Sequence, residues 1–228
     1  YELVVIIQDG MRRMYQEQED VYYYITVMNE NYSHPEMPKG SEEGILKGMY
    51  LFREGSGEGE KNSNLRIQLL GSGTILREVI AAADILKEEY GVISDIWSVT
   101  SFNELRREAL DTTRWNMLHP AKKPKKSYVR SCLEKQEGPV VAATDYMKIF
   151  ADQIREFVPG KYRVLGTDGF GRSDTREKLR QFFEVDRYYV TVAALKSLAE
   201  DGKISPEKVV EAINKYNIDP DKPNPIKV

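Results

Sequence analysis

Cysteine and histidine are nearly missing from this 228-residue sequence, which has one cysteine, Cys132, and two histidines, His34 and His119. A single cysteine excludes an internal disulfide and suits a reducing compartment. Two histidines far apart in the chain make an all-protein transition-metal site a poor expectation. No sign of charge is in excess: 33 Lys and Arg against 36 Asp and Glu leave −3. Such a balance gives no global field to draw nucleic acid or an anionic membrane. No apolar run approaches the ~20 residues needed to span a bilayer. Residues 1–7, YELVVII, lack a basic segment and are too short for a signal peptide, so a cytoplasmic location is expected. The first residue is not methionine, and we expect a chain that starts inside a longer protein.

What is present is a globular composition, 41% hydrophobic and 30% charged, enough for a sizeable core. The stretch from Tyr162 to Val185, YRVLGTDGFGRSDTREKLRQFFEV, reads as the unit around which the rest is organised. A buried strand at Val164-Leu165 runs into a glycine-rich turn, Gly166 to Gly171. Ser173 or Asp174 then N-caps a helix, with Asp174 and Glu177 spaced as a capping box. Leu179, Phe182 and Phe183 give that helix an apolar face for the strand. Positive φ is expected in the turn, among Gly166, Gly169 and Gly171.

Along the chain, Leu3, Ile6, Ile7, Met11, Met14 and Tyr15 have helical spacing. Val21–Met28 is a β-branched and aromatic run, expected as a strand buried on both faces. Asn29–Gly44 reads as a linker containing Pro35 and Pro38. Further strands are expected at 48–52, 65–70, 92–99 and 140–143. Helices are expected at 75–90, at 104–111 with Asn103 as cap, at 147–157, at 188–200 and at 206–216 with Ser205 as cap, with a helical turn at 129–133. The tip Gly55–Asn64 is expected to be the most mobile part, and the first cut by a protease. Strands alternating with helices predict a three-layer α/β/α sandwich with a mostly parallel five-stranded mixed sheet. Its first strand should be antiparallel, because the loop that follows is too short for a crossover.

Candidate chemistry is sparse. Gly71-Ser72-Gly73-Thr74 lies between a strand and a helix, where amides favour anions. A dinucleotide fingerprint would need a third glycine where Leu76 stands, so a tight turn is the favoured reading. The basic run Lys122 to Lys126 lacks the aromatics of a nucleic-acid surface and reads as a solvated loop. His119, beside Trp115, reads as a packed residue with no nucleophile paired to it. Asp168, Arg172, Asp174 and Arg176 crowd one turn. They could grip a carboxylate or phosphate, but read first as structural.

Three stretches taken together carry a resemblance: Asp168 to Asp174, DGFGRSD, with Leu179, Phe182 and Ala193-Ala194 beyond; Tyr22 to Pro38; and RWNMLHP, Arg114 to Pro120. They resemble the C-terminal domain of the transketolase superfamily, and within it the single-chain, homodimeric bacterial components that decarboxylate pyruvate. The resemblance runs from Tyr1 to about Asn224. It implies that 1–44 is a remnant of the pyrimidine-binding middle domain plus a linker, and that 45–228 is a transketolase C-terminal-like domain. It implies thiamine diphosphate and Mg²⁺ in the full-length enzyme and neither bound to this chain, whose catalytic residues would lie upstream. The implied partners are the missing N-terminal and middle domains, a second copy, and a dihydrolipoyl acetyltransferase core, with no nucleic acid or membrane.

In this chain the resemblance points to Asn29, Glu30 and Asn31 as the edge of a substrate pocket. The sugar-phosphate enzymes of the superfamily hold an arginine at that strand end. Asn29 carries no charge there, which suits pyruvate. Gly166, Asp168, Gly169, Gly171, Arg172 and Asp174 then belong to a structural turn, without catalytic or metal-binding residues. The competing reading is a free-standing α/β module that binds a nucleotide or small anion at Gly71–Thr74.

Overall fold

The expected strand runs are largely apolar, Met49–Phe52 and Val140–Ala143 continuously so, which a strand tolerates only when both faces are covered. The computed structural model describes residues 1–56 and 65–228, and there these runs build one sheet with helices on both sides. Its strands are β1 (Met49–Arg53), β2 (Arg66–Gly71), β3 (Ile93–Val99), β4 (Val140–Ala143) and β5 (Tyr162–Leu165), in the order β1-β3-β2-β4-β5. β2 to β5 are parallel, and β1 is antiparallel at one edge. The mixed, mostly parallel sheet is therefore the expected one, but β1 pairs with β3 rather than with β2, its neighbour in sequence. The predicted mobile tip falls mostly on residues 57–64, outside the described residues.

The middle strand, β2, organises the molecule, and the stretch Tyr162–Val185 supplies only the edge strand β5. Side chains alternate from β2 to opposite faces, as the two-residue period of a strand requires. Ile67 and Leu69 enter one cluster, with Val79 and Leu86 of α3 (Leu76–Tyr90), Ala194 and Leu198 of α8 (Arg187–Glu200), and Val209 of α9 (Pro206–Lys215). Leu70 enters the other, with Leu105 of α4 (Phe102–Leu118), Leu133 of α5 (Tyr128–Leu133) and Ala151 of α6 (Lys148–Asp152). Ile67, Leu69 and Leu70 are fully buried, each stabilising the fold by about 1.5–3 kcal/mol.

The buried carboxylate and amide side chains of the sheet bond to each other, whereas the buried Ser94 hydroxyl of β3 has no partner among the described residues. The buried Asp95 of β3 accepts from the Gly55 amide at 2.9 Å, from Gln68 Nε2 at 2.7 Å and from Arg66 Nη2 at 3.2 Å. Gln68 Oε1 in turn accepts from Trp97 Nε1 at 2.8 Å.

Local caps differ from the sequence reading. Ser101, not Asn103, caps α4, by accepting from the Glu104 amide, and that helix runs on to Leu118. α7 (Arg176–Phe182) is capped by Thr175, not by Ser173 or Asp174. Asp174 accepts from the Thr175 amide instead, so no capping box forms. α7 is short and buries none of its residues. The long helix expected at 147–157 is broken into α6 and a 3₁₀ turn at Arg155–Phe157. Ser205 precedes α9 without a side-chain cap bond.

In the turn after β5, positive φ occurs at Gly169 alone (+109°). Gly166 is needed for a different reason: a Cβ there would stand 2.7 Å from the Tyr146 carbonyl oxygen, whereas Gly171 faces open space. Asp168 anchors the turn by accepting from the Lys148 amide at 2.9 Å, and Arg172 lies over the Phe182 ring. A Cβ on Gly169 would come within 2.5 Å of the Pro225 carbonyl oxygen. Gly169→Val should therefore lower stability by roughly 1–3 kcal/mol, read as a lower chemical denaturation midpoint. An unchanged midpoint would contradict the strained turn.

The expected helix at the start is present as α1 (Glu2–Met11), continued by a π-helical turn, Arg12–Gln16. It docks through Glu2, whose carboxylate accepts from Tyr50 OH at 2.8 Å and Ser98 Oγ at 2.6 Å. The buried strand expected at Val21–Met28 is not present. These residues pair with no described strand, and Tyr22, Tyr24 and Val27 are 89%, 88% and 70% exposed. Strand propensity expresses fit to a neighbouring pleated surface, and no strand of this sheet lies alongside.

Candidate functional site: an arginine cluster at the carboxyl ends of the strands

β2 connects through α3 to β3 on one side, whereas β4 and β5 continue on the other. The order of the parallel strands thus reverses between β2 and β4, and in open α/β sheets ligands bind outside the carboxyl ends at such a point. Ser72 after β2 and Thr144 after β4 meet there, hydroxyl to hydroxyl, at 2.8 Å.

At this end the segment following α1 crosses the domain. Tyr146, after β4, donates to Thr26 Oγ1. Glu30 then enters a cluster of guanidiniums: Arg180 Nη2 at 2.6 Å, Arg77 Nη1 at 2.8 Å and Arg176 Nε at 3.7 Å. Arg176 also donates to Asn29 Oδ1 at 2.7 Å, and Arg77 lies 4.4 Å over the Tyr32 ring. Behind Arg180 sits the buried Glu78, at 3.5 Å from Arg180 Nη1 and 2.9 Å from Arg187 Nε. The amide of Arg187 donates to Glu78 as well, at 3.1 Å.

The sequence dictates this convergence by placing each group next to a strand end. Arg77 and Glu78 open α3 one turn beyond β2, and Arg176 and Arg180 share one face of α7 beyond β5 because they are four residues apart. Burial pushes the Glu30 carboxyl up, but the bonded Arg180 and the charges of Arg77 and Arg176 outweigh it and hold it below the usual range. Glu78 follows the same pattern, with burial opposed by Arg187 first and Arg180 after it. Four guanidiniums face Glu30 and Glu78 here, with the carboxyls of Asp145 near Arg180 and Asp186 near Arg187. Asp145, beside Gly73, is pushed up by burial.

Each residue singled out in the sequence can now be placed. Asn29 and Glu30 belong to the cluster, and Asn31 is exposed beside it. Arg176 joins them, whereas Asp168 bonds the Lys148 amide, Arg172 lies over the Phe182 ring and Asp174 accepts from the Thr175 amide. At Gly71–Thr74 a tight turn forms: a Cβ on Gly71 would lie 2.8 Å from Leu76 Cα, and Thr74 is buried. His119 stacks on Trp115 at 4.3 Å and bonds its carbonyl oxygen through Nδ1, and His34 stacks on Tyr32 in an exposed position. In the basic loop, Lys125 caps the Trp115 ring at 4.1 Å and Lys126 pairs with Glu134. Sequence reasoning missed Arg77, Glu78, Arg180 and Arg187.

Chemically the cluster can hold and orient a carboxylate. Among the described residues no group of three or more His, Cys, Asp or Glu could bind a metal ion, and no described helix is long and apolar enough to cross a membrane.

Comparison with known proteins agrees with this architecture. Residues 48–186 match the family model of the transketolase-like TK C-terminal domain, and residues 1–35 match that of the pyruvate dehydrogenase E1 component middle domain. The pyruvate dehydrogenase E1 component of Cupriavidus necator is 65% identical, over 100% of this chain and 25% of its own length. That of Escherichia coli (strain K12) is 57% identical over 99% of this chain and 25% of its own length. Among solved structures, a transketolase from Pichia stipitis aligns with a TM-score of 0.48 and 19% identity, over 74% of this chain and 21% of that one. The chain spans about a quarter of the length of the curated relatives it matches.

Proposed function

Since the chain belongs to the family of transketolase-like C-terminal domains, we propose that it is the C-terminal quarter of a pyruvate dehydrogenase E1 component. Such an enzyme uses thiamine diphosphate and Mg²⁺ to decarboxylate pyruvate and passes the acetyl unit to a lipoyl group. The observation that carries this reading is 65% identity along the whole chain to a protein of that name. In this reading residues 1–44 close the middle domain and its linker, and 45–228 form the C-terminal domain. Support for the division comes from the apolar residues of the first segment. Tyr22, Tyr24 and Val27 are exposed here, and a further sheet outside this chain would give Val21–Met28 the neighbours that a strand needs.

The residues present do not by themselves fit thiamine diphosphate with its metal. The described acidic residues supply no metal cluster, and the guanidiniums nearest the strand ends are already engaged by Glu30 and Glu78. The role left to this chain is structural: it builds one wall of the pocket and holds Asn29 and Glu30 in place. A second copy and an acetyltransferase core are the partners proposed for the whole enzyme. The test is to express the longer polypeptide containing this sequence and follow pyruvate-dependent CO₂ release and lipoyl acetylation with thiamine diphosphate and Mg²⁺ added. Turnover that requires both additions is expected. A longer polypeptide without pyruvate turnover would overturn the reading.

A further inference from the structure

We propose that Arg180 is a positioning residue, which holds the Glu30 carboxylate at the rim of the substrate pocket and so makes the pocket's geometry depend on this domain. The inference rests on the enzyme reading above, but its structural half stands on contacts within this chain. Arg180 and Glu30 are 150 positions apart and lie 2.6 Å from each other. Both are largely withdrawn from solvent, with side chains 14% and 15% exposed. An ion pair so shielded is costly to break from one side, because the partner left behind is a poorly solvated, uncompensated charge. Arg77 and Arg176, the other cations on Glu30, are 43% and 46% exposed, so solvent weakens their hold.

Arg180 is itself fixed from behind. Its second amino group faces the buried Glu78, which Arg187 clamps with Nε at 2.9 Å and Nη2 at 3.2 Å. Glu30, Arg180, Glu78 and Arg187 therefore form an alternating row of charges running from the crossing segment into the domain. That segment has no regular structure of its own between residues 21 and 38. Besides this row, its ties to the domain include the Tyr146–Thr26 and Arg176–Asn29 bonds and the Arg77–Tyr32 stack. Glu30 is thus located by the domain rather than by its own backbone. Misplacing a pocket group by an ångström can cost as much as a hundredfold in rate.

The groups that face Glu30 set what its ionisation would do: Arg77, Arg176 and Arg180 hold it charged, and Glu78 competes for Arg180. With Arg180 removed, Glu30 would protonate at a higher pH. In this role the ionised Glu30 is the form active in turnover, so the acid limb of the rate profile should then move toward neutrality.

Arg180→Gln, Arg180→Lys and Glu30→Gln, each alone, and each Arg180 change combined with Glu30→Gln, test this in the longer enzyme and in the present chain. In the enzyme, Arg180→Gln should lower kcat/KM for pyruvate about tenfold or more, with the acid limb displaced upward. Arg180→Lys should recover most of the loss, and adding Glu30→Gln should cost little beyond either single change. Unchanged pH dependence, or losses that add in full, would overturn the positioning role. In the present chain, amide hydrogen exchange of residues 26–32 should quicken in Arg180→Gln and stay near the parent rate in Arg180→Lys. If exchange is unchanged in both, Arg180 does not hold the segment, and the proposal fails even where pyruvate turnover is intact. If exchange behaves as expected while the unsubstituted longer enzyme ignores pyruvate, the functional reading fails and the structural hold stands.

Discussion

Alanine at Gly138 should cost this domain more stability than any surface substitution, about 3 kcal/mol or more. Gly138 has a φ of +90°, and a Cβ built on it would stand 1.9 Å from the carbonyl oxygen of Arg66 and 2.5 Å from its carbonyl carbon. No side chain can rotate away to relieve this contact, because the obstacle is backbone of the central strand. Moving residue 138 would also strain the neighbouring bonds, the Gln68 amide to the Pro139 carbonyl at 3.0 Å and Gln68 Nε2 to the Glu137 carbonyl at 3.0 Å. Gly160 is a built-in control: its φ is +77°, but nothing lies within 4 Å of its Cβ position. Gly160→Ala should cost only the left-handed backbone penalty, about 1–2 kcal/mol. Urea denaturation of the two variants separates the effects, and equal losses would contradict the packing at Gly138.

Asp95→Ala is the second large effect, expected at about 2–4 kcal/mol. Removing this carboxylate leaves the Gly55 amide and one Gln68 N–H without their acceptor, and Arg66 without its partner. Two features moderate the loss. Gln68 keeps its bond to the Glu137 carbonyl, and Arg66, whose side chain is 27% exposed, can be rehydrated. Asp95→Asn retains an acceptor oxygen and should lose markedly less. Thermal or urea unfolding of the pair checks this, and an alanine variant as stable as the asparagine variant would show that the network contributes little.

The sheet was legible in the sequence because its strands declare themselves locally. Val140–Ala143 is a short apolar run bounded by proline and polar residues, which burial on both faces suits, and Leu65–Leu70 is a short, mostly aliphatic run that ends at a glycine turn. The partner of β1 was not legible. Its antiparallel orientation follows from a short loop, but whether it joins β2 or β3 depends on which edge stays free once α3 has crossed. Caps were misplaced by one or two positions, at Ser101 and Thr175, because neighbouring residues offer side chains of similar capping ability. Val21–Met28 misled for a deeper reason. Its composition states what surface it would fit, and no such surface lies beside it here.

The candidate site was half legible. Asn29, Glu30 and Arg176 were singled out, the first two through a family resemblance and the third as one of a crowd of charges. Nothing in the spacing of Arg77, Arg180 and Arg187 announces that they converge. They come together because α3 begins beyond one strand and α7 and α8 follow another, and only the strand order makes those ends neighbours. The one local signal was Glu78, an acidic residue in the first turn of a largely apolar helix that the fold buries.

The most direct test is a calorimetric titration of this 228-residue chain with thiamine diphosphate and Mg²⁺, with the longer polypeptide as the control. Cofactor groups contributed by other domains are needed for tight binding, since a partial site leaves most of the interaction unmade. The longer polypeptide should therefore bind and turn over pyruvate, while this chain alone gives no measurable binding. Micromolar binding to this chain alone would contradict the proposed role and return attention to the turn at Gly71–Thr74.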